Sequence, residues 1–377
     1  MTSSANNERR MKIAFLWTGL SGYMNACLKE LSGRDGIDLL VSHQMPSPEA
    51  PFDAEQFAWI SGRISWRSES DLVDLERKLI EFSPEILVIP SWHVYPYRRV
   101  ARRLSGKCWR VMVMDNPWRG SLKQRMGAFV SGFYVKPIAD VVWLPGERQA
   151  SFARRLGFSQ DAILRGSFTC DNPAFAAVHN ARVTGGLPVP KQFVFVGRMV
   201  AAKGVDSLLE AYKLYRKQNK DAWPLICCGS GPMRSCFENQ EGIRVEGFVQ
   251  PEKMPQIMEC AGCLILPSSF EPWALVVHAA AASGRLIIAS ENVGSVTHLV
   301  QPGYNGFISN NNDIHGLATL MSRVSSMSDT QLDQMSRASF LLSHQFSPKQ
   351  WADTLLQSYE ARAAKPASAL AFPVAGR

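Results

Sequence analysis

The feature that most constrains this chain is an alternation that runs along it and starts twice. Short apolar runs at 12–17, 39–42, 86–90, 110–114 and 140–144 are separated by polar, helix-like segments such as 72–82. Residues 181–190 then bring two Gly and two Pro together, a linker composition. After them the alternation restarts, with strands expected at 193–196, 224–228, 243–246, 262–266 and 286–289 and a helix at 205–218. Strand and helix in alternation make a mostly parallel sheet covered on both faces. Two such halves predict an α/β chain of two Rossmann-like, doubly wound domains facing each other across a cleft, with a ligand at the carboxyl ends of the strands. The expected boundaries are 11–180 for the first domain, 181–190 for the linker and 191–345 for the second domain. A closing helix at 346–364 completes the first domain, and flexible tails fall at 1–10 and 366–377.

Composition narrows the class. The chain has 377 residues, 46% of them hydrophobic and 20% charged. That is a globular composition long enough for two cores, and it excludes disordered, collagen-like and coiled-coil classes. No stretch approaches the roughly 18 apolar residues of a membrane span. Arg9, Arg10 and Lys12 precede the apolar run 13–17 as in a signal peptide, but Thr18, Gly19, Ser21 and Gly22 break it at once, so a buried first strand is expected. Several of the eight cysteines fall inside apolar runs, which suits free thiols in a reducing, cytoplasmic compartment. Cys260 and Cys263 have redox-like spacing but read as core. The net charge of +8 favours anionic partners, and no nucleic-acid module is recognisable, so nucleic acid is not an expected partner.

Four features sit where strands end. Gly197-Arg198 and Lys203-Gly204 place two cations on one strand-to-helix loop, where a planar fork and a point charge can converge on a diphosphate; such residues are also commonly just solvated. Gly229, Gly231 and Gly247, the last followed by Phe248 and Val249, permit tight turns and close backbone approach to a flat base. Glu271 precedes a turn and a helix start at Ala274, Leu275 and Val276, offering a carboxylate for sugar hydroxyls and free N–H groups for phosphate. A glycine loop, 292–296, follows the strand at 286–289.

The order and spacing of these motifs resemble family 4 glycosyltransferases of the GT-B fold. The resemblance covers about 193–310 and rests on Gly-Arg-x5-Gly, Gly-Ser-Gly-Pro, Gly-Phe-Val, Pro-Ser-Ser-x-Glu-Pro-Trp and Ser290-Glu-Asn-Val-Gly-Ser, with Gly303-Tyr-Asn-Gly306 beyond them. It is thinner in the first half, at Gly19-Leu-Ser-Gly22. It implies a retaining enzyme that moves a sugar from a nucleotide-sugar donor, a UDP-sugar favoured, to a glycan or lipid-linked acceptor in cell-surface polysaccharide or glycolipid synthesis. Arg198 and Lys203 would grip the diphosphate, Glu271 the donor sugar, the 274–276 backbone a phosphate, and Gly247 and Phe248 the base. Gly19 and Gly22 would let the first domain approach the donor. No metal or other cofactor is implied.

Two departures stand out. The family's Glu-x7-Glu motif has Glu271 in first place but Ala279 in second, where a carboxylate usually holds the ribose hydroxyls. A weakened enzyme is the expectation; a catalytically silent sugar-nucleotide binder and a nucleotide-sugar epimerase on the same fold are the alternatives. His298 stands where many relatives carry Glu, and sequence assigns it no role. On the acceptor side, Asp115 is a candidate sugar contact or simply a turn residue before Pro117, and His93 is the other candidate.

Between 98 and 125 there are nine Lys or Arg and one acid, Asp115. Arg98, Arg99, Arg102 and Arg103 form a helical stripe near Trp118 and Arg119, which suits an anionic membrane surface or a phosphorylated acceptor; the alternative is a solvated helix face. Peripheral association with the inner face of a membrane is therefore expected.

Overall fold

The computed structural model describes residues 10–46 and 51–363. The expected tail at 366–377, and all of 1–10 except Arg10, lie outside the described residues. The first sheet has seven strands: β1 (Met11–Trp17), β2 (Ile37–Gln44), β3 (Gly62–Trp66), β4 (Ile86–Pro90), β5 (Trp109–Val113), β6 (Val141–Leu144) and β7 (Ile163–Arg165). Their order is β3-β2-β1-β4-β5-β6-β7, with every pairing parallel. Every residue of β4 and β5 is buried, as expected of central strands covered on both faces. Helices Leu75–Phe82, Tyr95–Arg103 and Glu147–Arg155 cover one face through Leu79, Tyr97 and Phe152. Helix Gly22–Ser32 and the terminal helix Pro348–Ala363 cover the other, packing Met24, Leu28, Trp351 and Leu355 with Phe15 and Trp143.

The second sheet has six parallel strands: β8 (Phe193–Val196), β9 (Leu225–Cys228), β10 (Ile243–Gly247), β11 (Cys263–Leu266), β12 (Leu286–Ser290) and β13 (Gly306–Ser309). Their order is β10-β9-β8-β11-β12-β13. Both sheets are doubly wound, with switch points beside β1 and β8, and the loops leaving those strands face the cleft between the units. Cys260 is exposed, Cys263 is buried within β11, and both thiols are free.

Three strands escape the sequence reading for different reasons. β3 is a half-exposed edge strand that carries Arg63 and Ser65 on its open side. β7 is three residues long. β13 opens on a glycine, and the β-carbon of any other residue at Gly306 would collide with the Ile287 carbonyl.

The crossing between units also differs. Helix Asn172–Thr184 runs through the first residues of the expected linker and packs against helices Met254–Cys260 and Leu275–Ala282. Cys170 and Phe175 belong to the second core. The chain therefore crosses at about 166–171, and the Gly and Pro of 185–190 form a loop inside the second unit. It returns just before helix Pro348–Ala363, whose Trp351 donates from its indole N–H to the Ser167 carbonyl at 2.9 Å. The outward and return crossings lie side by side.

Candidate active site

Two loops of the second unit are stitched into one wall. The loop after β8 ends in a short turn at Ala201–Lys203, and Ser269 donates to the Ala202 carbonyl from both its backbone N–H (3.1 Å) and its hydroxyl (3.2 Å). Gly204, at φ +65, lies so close to the Pro267 carbonyl that no β-carbon fits. This packing carries Lys203 to Glu271, and the two side chains form an ion pair that is mostly shielded from solvent. Glu271 is held from behind: its N–H donates to Asn292 (3.3 Å) and its carbonyl accepts from Gly294 (2.9 Å).

Beside this wall a cavity of about 790 Å³ opens between the units. Arg198, Gly197, Gly229, Phe248, Val249, Leu275, Val276 and Ala279 line it from the second unit, and Gly19 and Gly22 from the first. Its walls are largely apolar, with Met254 and Pro255 among them, and Asp171 and Glu252 bring two carboxylates to the lining. Gly231, Gly247 and Ala274 are not on its wall. Gly231 and Gly247 instead hold the loops together: Gly247 accepts from the Gly229 N–H at 2.6 Å, and a β-carbon at Gly231 would strike Met199. Ala274 sits before helix Leu275–Ala282 at φ +76, a left-handed conformation that costs a non-glycine residue energy.

Asp115 lies two residues past β5 in the first unit. Burial raises its pKa, the negative charge of Glu271 adds to the rise, and His93 opposes it. Asp115 of the first unit and Glu271 of the second therefore feel each other's charge. His93 itself is exposed. Tyr23 lines the cavity; burial pushes its phenol well above the ordinary range. Sequence reasoning missed Tyr23, Phe52, Asp171 and the segment Pro251–Pro255 as cavity residues. Pro251 directly follows Gly247-Phe248-Val249-Gln250, which was a usable signal; nothing local marked Asp171. Among the described residues no group of three or more His, Cys, Asp or Glu is placed to hold a metal ion.

The units are clasped at both ends of the cavity. Gln250 accepts from the Asp53 N–H (3.3 Å) and donates to the Pro51 carbonyl (2.8 Å), and Phe52 meets Phe248 edge-on. Gly22 abuts Pro251 so closely that a β-carbon would collide with it. At the other end Arg148 donates to the Glu291 carbonyl at 2.7 Å and Gln149 to that of Pro272 at 2.8 Å. His298 finds its role here: its Nε2 accepts the Glu147 N–H at 3.2 Å, and its ring packs on Trp273 and Phe346. Arg119 lies over the Phe270 ring, 4.3 Å from its centre, and reaches across the cleft.

The arginine stripe is not a free cationic face. Arg99 and Arg103 share Glu76, at 3.1 and 3.7 Å. Arg102 donates to the Phe133 carbonyl at 2.7 Å, and Arg98 bonds the Tyr134 hydroxyl and stacks on its ring. The helix periodicity was visible in sequence; the acid of a neighbouring helix, the Phe133 carbonyl and the Tyr134 hydroxyl were not. Trp118 is packed inward, against Phe152 and under Arg155. His278 turns away from the cavity and is fully buried between the two crossings.

Residues 183–339 match the model of the family described as glycosyl transferases group 1. The chain is 31% identical over 124 residues to an uncharacterized glycosyltransferase of Methanocaldococcus jannaschii, a match that covers 31% of each protein. It is 27% identical over 122 residues to the alpha-D-kanosaminyltransferase of Streptomyces kanamyceticus, covering 30% of this chain and 31% of that one. These matches span about a third of the length of the curated relatives. In architecture the chain is similar to Anabaena HepE, solved in complex with UDP and glucose, with a TM-score of 0.70, 16% identity and coverage of 93% of this chain and 100% of that one. The sucrose-phosphate synthase of Thermosynechococcus elongatus is as similar in fold, with a TM-score of 0.70, 17% identity and coverage of 94% and 100%.

Proposed function

We propose that this chain transfers a sugar, with retention, from a nucleotide-sugar donor to a glycan or lipid-linked acceptor, a reading supported by the match of residues 183–339 to the group 1 glycosyl transferases and by the GT-B fold. The observation that carries this reading is the charged group at the cleft: Arg198 on the cavity wall, the Lys203–Glu271 pair beside it, and Asp115 of the first unit within reach of the Glu271 charge.

The chemistry follows from the pairing. Without donor, Lys203 is neutralised by Glu271. An arriving diphosphate competes for Lys203, and the freed Glu271 carboxylate accepts hydrogen bonds from the sugar hydroxyls. Arg198 and Lys203 then oppose the charge that develops on the leaving nucleotide, which is electrostatic catalysis by fixed donors. In this reading these two cations supply the counter-charge, and no metal ion is required. A UDP-sugar is the favoured donor, a choice supported by a structure of the similar HepE in complex with UDP-glucose. A lipid-linked acceptor would bring the protein to the cytoplasmic face of a membrane as a peripheral protein.

Ala279 favours one other reading, a silent binder of sugar nucleotides, because position 279 itself offers ribose no carboxylate, although Asp171 and Glu252 line the same cavity. A charge-assisted hydrogen bond is worth about 1.5–3 kcal/mol. Ala279→Glu is therefore expected to tighten nucleotide binding roughly tenfold to a hundredfold. Thermal-shift titration with UDP, GDP, ADP and their sugar conjugates tests the site, and donor hydrolysis or sugar transfer tests the chemistry. Turnover lost in Glu271→Ala supports the enzyme. Nucleotide binding with no turnover in either the native chain or Ala279→Glu supports the silent binder.

A further inference from the structure

The helix Leu122–Phe129 has no buried residue. Leu122, Met126 and Phe129 recur at the spacing of one helical face and are 79%, 70% and 89% exposed. The next turn adds Val130 and Phe133, the latter 85% exposed. In a folded domain, large exposed side chains are ordinarily scattered; a contiguous group of five marks an interaction surface. The charge around it has one sign. Residues 116–139 contain Arg119, Lys123, Arg125 and Lys136 and no acid. Arg119, Lys123 and Arg125 are exposed beside the apolar residues.

We propose that the segment Leu122–Tyr134 docks on an anionic lipid bilayer, with Phe129 and Phe133 entering the headgroup–acyl boundary and Lys123 and Arg125 meeting lipid phosphates. An apolar ridge rimmed by cations is the pattern of interfacial helices. A second copy of this chain is a poor occupant: two such faces would set Lys123 and Arg125 against their own copies, in a protein of net charge +8. A bilayer with acidic headgroups satisfies both the ridge and its rim. The arginine stripe contributes indirectly. Arg98 and Arg102 bond Tyr134 and the Phe133 carbonyl, and so fix the ridge to helix Tyr95–Arg103. Arg119, at the head of the ridge, lies over Phe270 at the cleft, so docking would present the cleft mouth to the membrane. This inference rests on the proposed function only for its purpose, which is to bring the site to a lipid-linked acceptor.

The test is flotation of the full chain with vesicles of phosphatidylcholine, with and without phosphatidylglycerol, at low salt and in the absence of donor and acceptor. Binding is expected only with phosphatidylglycerol. Phe129→Ser combined with Phe133→Ser should lower partitioning about tenfold or more, and Lys123→Gln combined with Arg125→Gln about fivefold for each charge removed. Both variants should melt where the native chain does and bind nucleotide equally, because these side chains are exposed and lie away from the cavity. The proposal is overturned if the native chain ignores phosphatidylglycerol vesicles or if the double serine variant floats unchanged. It is equally overturned if light scattering finds a dimer that the serine variant abolishes, which would make this face a contact between copies. Since no substrate is present, a negative result leaves the transferase reading to its own assay.

Discussion

At the scale of single residues, the turn between Glu271 and the following helix contains a strained position with a simple remedy. Ala274 caps helix Leu275–Ala282 at φ +76, and its carbonyl accepts from the Val277 N–H at 3.1 Å. The conformation is needed to turn the chain from the Glu271 loop into the helix, and the side chain there lies off the cavity wall. Left-handed geometry costs a residue with a β-carbon about 1–2 kcal/mol. Glycine would remove that cost while adding up to about 1 kcal/mol of unfolded-state entropy. Ala274→Gly is thus expected to raise stability by about 0.5–1 kcal/mol and to leave nucleotide affinity unchanged. Denaturant unfolding with and without UDP measures both. A loss of stability would mean that the strain is relieved by contacts of the Ala274 methyl.

At the scale of elements, the hinge depends on one buried imidazole. The Cys170 N–H, on the outward crossing, donates to His278 Nδ1 at 3.1 Å. That assigns the proton to Nε2, which donates to the Ser343 carbonyl on the return crossing at 3.0 Å. Helix Leu275–Ala282 thereby fastens both crossings. Burial lowers the His278 pKa to about 4, so the ring is neutral in the folded protein and charges only when released. The sign follows. Above about pH 6.5 neither state binds the proton and the group adds no pH dependence; below it the unfolded chain gains the proton first. Stability should fall by about 1.4 kcal/mol per pH unit from this residue as pH drops from about 6.5 toward 4. His179 and His298, lowered chiefly by burial, act in the same direction. His278→Ala should flatten part of that slope while costing stability at neutral pH, because the Cys170 N–H and the Ser343 carbonyl lose their partner. Melting temperature against pH for both proteins decides it; parallel curves would remove His278 from the account. The hinge also marks the limit of what sequence could tell. Strands β4 and β8 and helix Val205–Gln218 were legible to the residue, because apolar runs bounded by turn residues encode them locally. So was the Arg198–Lys203–Glu271 order along the chain. The crossing at 166–171 was not, because its partners, His278 and Trp351, lie far along the chain and nothing in its own composition signals a change of unit.

At the scale of the whole molecule, the cavity exists only while the two units are apposed, since Gly19, Gly22 and Tyr23 on one side meet Arg198, Phe248 and Ala279 on the other. The apposition at the far end depends on the absence of a side chain at Gly146. Its φ is −159°, ordinary extended backbone, so the glycine is required for space alone. A β-carbon there would lie 2.5 Å from the Trp273 ring and 2.7 Å from His298 Nε2, the atom that accepts the Glu147 N–H. Gly146→Val should therefore wedge the clasp apart without straining either sheet, and Arg148 and Gln149 would lose their carbonyl partners in the same movement. A ligand that needs the closed form binds more weakly in proportion to the closed fraction. If the wedge leaves about one molecule in ten closed, nucleotide affinity drops about tenfold, and the radius of gyration in solution rises while each unit keeps its own core. Small-angle scattering and nucleotide titration of the same sample decide between two accounts. A larger radius with weaker binding makes domain closure part of donor recognition. An unchanged radius with native affinity would show that Trp273 and His298 yield locally and that the clasp at Gly22, Pro251 and Phe248 holds the cavity by itself.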